Sequence, residues 1–306
     1  NRETARFRNR LSYERRWQDE IASEQTHCRA IQALGVTTQM APTDSMRSFA
    51  TRLFTEALPA VERFSSSRGW ALALVGIHAY LSRFGGDTQA RRVRKTLADR
   101  LMRRFEEHAS EAWPWHEDIV QESSAKLPHA LILCGQWLPD SIMAEQGLQS
   151  LRWLIAEQIG EDDRVSVFGD AGRIDKSGQR AHFDQLPDEV MHLIEACGEA
   201  YRCTRDQQWI NRARQLLGWF LGDNDLQAMM YDNRTGGCRD ALRADGPNRN
   251  QGAEATLAWL VALITVYALI REETVAVVDP EPAGQAPESP ADSTADASAD
   301  EAKAER

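Results

Sequence analysis

Apolar residues recur along most of this 306-residue chain at helical rather than strand spacing. The sparse apolar positions Phe7, Leu11, Trp17, Ile21, Cys28 and Ile31 predict one long exposed helix from about Thr4 to Leu34, ending near Gly35. Asp44 offers an N-cap for a helix through about Leu58, where Pro59 breaks or kinks the chain. From Ser67 a pattern begins that repeats. An apolar helix (Trp70 to Phe84) is closed by Gly85-Gly86 and followed by an amphipathic, Arg-rich helix to about Glu107. The same order returns as Leu127 to Trp137, a turn at Pro139-Asp140 and Ser141 to Gln158; then as Pro187 to Cys203, a turn at Arg205-Asp206 and Gln207 to Leu221. A last apolar helix follows Gln251, so the period is about sixty residues. Arg164 to Phe168 is the one short stretch that could form a β-ribbon.

A buried helix followed by an outer helix with one wet face is the unit of a helical-hairpin repeat. The expected fold is all-α, an α/α toroid with inner helices around an axis; an open α-solenoid is the alternative. Gly76, Gly135 and Gly198 sit within the inner helices, where close helix approach favours glycine. The division expected is a helical extension over 1–40, the toroid over 41–273 and a disordered acidic tail over 274–306, rich in Ala, Pro, Asp, Glu and Ser. The repeat puts the long connections, about 110–125, 160–186 and 222–250, on one rim above the axis.

Composition narrows the partners. The net charge is −10, and eight acids against two bases after residue 278 account for more than half of it. The remainder is mildly acidic, which argues against nucleic acid. No charge-free run is long enough for a membrane span, and no secretion signal is evident. The five cysteines show no Cys-x-x-Cys spacing and lie mostly in apolar runs, so a cytoplasmic protein with reduced thiols is expected. The start at Asn1 suggests the C-terminal part of a longer polypeptide or a trimmed chain.

The candidate chemistry lies in the rim loops. The first carries Trp113, Trp115, His116, Glu117 and Asp118, with Lys126 at its end; aromatic faces beside carboxylates suit a sugar ring. The second ends in His182, Asp184 and Gln185, followed on the helix by Glu189, Glu195 and Glu199, the last two one turn apart on a shared face. The third supplies Asn224, Asp225, Asp232, Asp240, Asn248, Asn250, Gln251 and Glu254. Glycosidic cleavage needs one protonated carboxyl and a second carboxylate, which converging loops could provide. Sugar epimerisation would instead need an acid and a base, for which His116, His129, His182 and His192 are available. Each side chain also has a plain structural reading, as a cap, a core group or a solvated face. No His-x-x-x-His or phosphate-loop pattern occurs, so neither a metal nor a cofactor is expected.

Three stretches carry a family resemblance over roughly residues 45 to 270: Arg180-Ala181-His182-Phe183-Asp184-Gln185 with Pro187 and Glu189; Trp219-Phe220-Leu221-Gly222 with Asn224-Asp225-Leu226; and Thr235 to Asp240 through Asn250-Gln251-Gly252-Ala253-Glu254. With them the chain resembles the bacterial α/α-toroid domain of the six-hairpin glycosidase-like superfamily, found alone or fused to nucleotide-sugar glycosyltransferases. Relatives carry Tyr-Asp-Asn-Ala-Arg-Leu-Pro where this chain has Glu122-Ser123-Ser124-Ala125-Lys126-Leu127-Pro128. If the replaced aspartate is catalytic among relatives, this chain either binds without turnover or uses Glu122 instead. The resemblance implies an oligosaccharide or glycoconjugate as ligand and a glycosyltransferase as a possible partner. The leading expectation is a carbohydrate-active enzyme cleaving or remodelling a glycosidic bond, with Glu117, Asp118, Asp184 and Glu254 as catalytic carboxylates. The others are a non-catalytic glycan-binding or scaffold domain and a sugar epimerase.

Overall fold

The chain is seen in a computed structural model that describes residues 1, 3–138, 141–160, 163–169 and 174–278. The first departure from expectation is at the start. Residues before Glu24 are irregular, with a single antiparallel bridge between Leu11 and Trp17, rather than one long helix. Helix α1 spans Glu24–Met40, begun by the Ser23 hydroxyl accepting from the Thr26 N–H at 3.1 Å. Gly35 lies inside this helix. Helix α2 covers Asp44–Ala57, with Thr43 rather than Asp44 as the capping side chain, and a 3₁₀ turn at Leu58–Arg63 contains Pro59.

The hairpin repeat follows as expected. Helices α3 (Ser67–Arg83) and α4 (Thr88–His108) form one pair, α5 (Lys126–Trp137) and α6 (Ser141–Ala156) the next, and α7 (Pro187–Thr204) and α8 (Gln208–Leu221) the third. Helix α9 runs Ala253–Val278, past the boundary expected at 274. The Pro139-Asp140 turn, part of the Gly169 to Gly172 run and the tail from 279 lie outside the described residues. Each odd-numbered helix packs on the next odd one, α1 on α3, α3 on α5, α5 on α7 and α7 on α9, while α2, α4, α6 and α8 cover their partners from outside. This is the all-α toroid: an inner series of five helices and an outer series of four, among the described residues. A two-residue antiparallel pair, β1 (Leu242–Arg243) and β2 (Gly246–Pro247), shapes one loop. Arg164 to Phe168 forms only isolated bridges, Val165 pairing with Ile159 and Asn224, because the run is too short for a ladder.

Apolar side chains from both series fill the space between them, with Trp209, Trp219, Phe54, Phe220 and Leu72 fully enclosed. Close helix contacts require glycine. A Cβ on Gly76 would stand 2.6 Å from the Ile31 carbonyl oxygen of α1, and one on Gly135 would stand 2.5 Å from the Ala144 nitrogen of α6. Gly35 meets the Gly76 carbonyl the same way, which is why a glycine expected to end α1 sits in its middle. Gly198 is different: its nearest neighbours would be Leu269 methyls at 3.6 Å, an ordinary contact.

Candidate functional site

All five inner helices start on one rim, and each carries a charged residue at its first or second position: Glu24 on α1, Arg68 on α3, Lys126 on α5, Asp188 on α7 and Glu254 on α9. From the second turn of α1, Arg29 reaches across to α9 and to the loop before α5. Its guanidinium donates to Glu254 Oε1 at 3.2 Å and to the Ser123 hydroxyl at 3.3 Å. Ser123 has a left-handed backbone (φ 56°), and its N–H donates to Glu189 Oε1 at 2.5 Å.

Asp188, Glu189 and His192 each bring a polar atom within 4.8 Å of the others. Burial raises the Asp188 carboxyl above its ordinary range, and the negative charge of Glu254 adds to it, while Arg29 pulls the other way. Glu189 is enclosed, and burial, reinforced by Asp188, pushes it up to about 8. At neutral pH this neighbourhood holds a proton. The donor set could in principle take a divalent cation, but Glu189 already accepts the Ser123 N–H, and the charges of Lys126 and Arg29 bear on His192. We therefore read the cluster as coupled acids.

Below them a polar column continues along α7 at spacings of four, three and four residues: Asp188, His192, Glu195, Glu199. The fully buried Lys126 ammonium meets Glu195 Oε2 at 2.5 Å, and Gln136 donates to Glu199 Oε1 at 2.7 Å. His129 on α5 and His192 are both buried and neutral; burial comes first, then the positive charge of Lys126, holding each well below the usual imidazole range. The Nδ1 atom of each lacks a hydrogen-bond partner. A buried polar atom without a partner is costly, so this column is suited to receiving a hydroxyl-rich molecule or water.

The structure sorts the candidates from the first loop. Trp115 is enclosed in the core beside Trp153, and Trp113 donates its Nε1–H to the Glu117 carbonyl at 2.8 Å; neither offers a free face to a sugar. His116 is fully buried and lowered to about 3 by desolvation, so it too belongs to the core. The aromatic run was read as a stacking platform because burial is invisible in a loop sequence. Glu117 is held by Arg68 at 2.6 Å, placing it at the start of α3. Asp118 is exposed and bound to Lys176 at 2.6 Å and His108 at 3.2 Å. Glu122 is exposed, and its charge helps to raise Glu189.

In the second loop Asp184 and His182 are exposed. Gln185 is buried, accepting from Trp219 Nε1 at 2.8 Å and donating to the His182 carbonyl and to Asp225. The third loop is largely occupied with itself. Asn224 donates to the carbonyls of Trp219 (2.8 Å) and Ala228 (2.7 Å); Asp225 accepts from the Ser166 hydroxyl at 2.7 Å. Asp240 accepts the Gly252 N–H at 2.5 Å just ahead of α9, and Asn248 accepts the Asn250 N–H at 3.0 Å. Gln251 accepts from Thr235 at 2.6 Å and donates to Asp232 at 3.1 Å. Of the substrate-binding expectations, Trp113, Trp115, His116, Gln185, Asn224, Asp225, Asp240, Asn248 and Gln251 are thus spent on core packing or on loop hydrogen bonds, and Asn250 is exposed with its backbone engaged in the loop. Lys126, Glu189, Glu195 and Glu254 converge on the axis.

The residues that reading the chain missed are Arg29, Ser123 and Asp188. Arg29 lies in a segment whose sparse apolar pattern predicts an exposed helix. Asp188 carried a signal, since it follows a proline that opens an inner helix, but acids at that position are common as dipole partners.

No family model matches the chain, and none of the curated proteins does. Solved structures do resemble it. A sugar epimerase from a ruminal bacterium superimposes with a TM-score of 0.63 at 12% identity, covering 90% of this chain and 80% of that one. An unsaturated glucuronyl hydrolase specific for heparin gives 0.61 at 12% identity, covering 87% and 73%. The cellobiose 2-epimerase of Spirochaeta thermophila gives 0.59 at 9% identity, covering 87% and 75%. At such identities the likeness is one of architecture: the chain shares the all-α toroid fold of these solved structures.

Proposed function

We propose that this chain is a carbohydrate-active protein that cleaves or remodels a glycosidic bond at the rim of its axis, with Asp188 as proton donor and Glu254 as the second carboxylate. The observation that carries the reading is the coupling of these two acids at the starts of neighbouring inner helices. Burial and the Glu254 charge favour a protonated Asp188, while Glu254 is exposed and ion-paired with Arg29. A carboxyl whose environment favours the protonated form, beside an exposed one paired with a guanidinium, fits the division of labour that glycosidic chemistry needs. Lys126, Glu195, His129 and His192 would line the axis beneath the reacting ring. That the fold's solved neighbours include two sugar epimerases and an unsaturated glucuronyl hydrolase supports a saccharide ligand.

A non-catalytic glycan-binding module, of the kind that accompanies a glycosyltransferase, is the second reading. It is favoured by Glu189 and Asp240, which both spend an oxygen on backbone N–H groups. The two separate on a panel of oligosaccharides assayed for released reducing ends and, by NMR in D₂O, for exchange at sugar carbons. Under the first reading Asp188→Asn and Glu254→Gln each lower turnover by about 10²- to 10⁴-fold, while Asp184→Asn and Asp118→Asn leave it nearly unchanged. Binding without product across the panel would favour the module instead. Deuterium uptake without cleavage, lost in His192→Ala, would point to epimerisation.

A further inference from the structure

The last ring helix is covered on one side only. Along α9, Ala255, Ala258, Trp259, Ala262, Val266 and Leu269 are buried against the body, where the helix packs on α7 and α8. The opposite face carries Leu257, Leu260, Leu263, Ile264 and Tyr267, and of these Leu257, Ile264 and Tyr267 are 59%, 65% and 61% exposed. These five lie on one helical stripe about 16 Å long. No charged residue occurs between Ala255 and Ile270. A solvated helix face normally carries charges, and a continuous apolar one marks a contact surface.

Every earlier inner helix is followed by an outer helix that covers it; the described residues hold none after α9. The remaining 28 residues, 279–306, contain no Val, Leu, Ile, Met, Phe, Tyr or Trp. They cannot supply an apolar stripe to match. The start of the chain is engaged elsewhere, with Phe7 against His27 of α1. Among the described residues, nothing covers this face of α9.

We propose that this face of α9 is the interface of a homodimer, in which α9 of a second copy packs antiparallel on α9 of the first. A stripe without charge can meet its own copy without like-charge repulsion, and a two-fold axis needs a surface that complements itself. An axis beside Ala262 sets Leu257 of one copy against Tyr267 of the other, and Leu260 against Ile264. Large residues at the ends and branched ones at the centre then meet in both directions. A bilayer is a poorer match. The segment Ala253–Thr274 is long and apolar enough to cross one, but a third of its most apolar window is buried inside the fold, and inserting it would strip Trp259, Val266 and Leu269 from the core.

Sedimentation velocity of the full chain tests this. The intact chain should sediment as a dimer at micromolar concentration, and a Leu260→Lys/Ile264→Lys variant as a monomer, with dissociation at least about tenfold easier and an unchanged circular dichroism spectrum. Mixing a Leu260→Cys chain with an Ile264→Cys chain under mild oxidation should give disulfide-linked heterodimers in excess of either homodimer. A monomeric intact chain overturns the proposal. So does a dimer that survives the double lysine variant, or cross-linking confined to Leu260→Cys homodimers, which requires parallel helices. Flotation of the monomer with neutral phosphatidylcholine vesicles, abolished by the lysines, would assign the face to a membrane.

Discussion

Glu189 shows how much a single environment can alter a side chain. Its carboxyl is enclosed between α7 and the Ser123 turn, and burial with the Asp188 charge lifts it to about 8. A carboxyl raised in the folded state binds a proton that the unfolded chain has already lost, so folding is favoured least where only the native state must surrender it. Stability should fall as pH rises from the ordinary carboxylate range, near 4.5, towards 8. Glu189→Gln keeps an oxygen for the Ser123 N–H and removes the titration. Urea midpoints measured from pH 5 to 8.5 should decline for the intact chain and decline less for the variant; parallel curves would show that Glu189 is already ionised in the fold. Little of this was legible in the chain. A Pro-Asp-Glu start marks a helix end, but whether its acids face water or an axis is decided by neighbours more than sixty residues away.

The elements were easier to read than their contents. Helical spacing and polar loops placed α3 to α8 to within a few residues, because a buried helix beside a wet one leaves a strong periodic signal. The first segment misled, since charged residues before Glu24 fit a helical pattern by chance and instead form an irregular run tied by Asp19 to the Asn9 and Arg10 N–H groups. The glycines read as markers of close approach divide sharply. Gly76→Ala drives a methyl into the α1 backbone and should cost about 1–3 kcal/mol or more. Gly198→Ala has room beside Leu269 and should be neutral, or stabilise by about 0.5–1 kcal/mol through helix propensity. Thermal melts of the two single variants decide it, and similar losses in both would contradict the packing described. The third loop was read as a site on account of its many polar groups. Its hydrogen bonds instead run inward, as in Arg239 to Asp232 and Asp240 to Gly252, so its polarity is what a turn of this shape needs to satisfy itself.

Across the whole molecule, burial has set five of the seven histidines below their usual range: His27 and His78 to about 4, His116 to about 3, and His129 and His192 well down, each chiefly through desolvation. All five are neutral in the fold and would charge readily once unfolded. A depressed histidine contributes stability that is complete above the unfolded value, 6.5, and is lost as pH falls through the folded values. Denaturation midpoints should therefore drop steeply between pH 6.5 and 4, with an opposing and smaller gain from Glu189. A His116→Phe variant, apolar within an apolar pocket, should flatten the acid limb; an unchanged limb would mean that the imidazole is charged or solvated in the native chain.

The Arg29 to Glu254 contact spans 225 positions of sequence, whereas neighbouring inner helices meet across one hairpin repeat. Most of the fold can thus assemble from short loops, each closing at modest entropic cost. The seam between the first and last ring helices depends on an exposed ion pair, the weakest class of contact and one that salt screens. The ring has a built-in clasp: loop-closure entropy and salt screening should make it a late join in folding and an early one to open, and its arginine bears on the coupled acids.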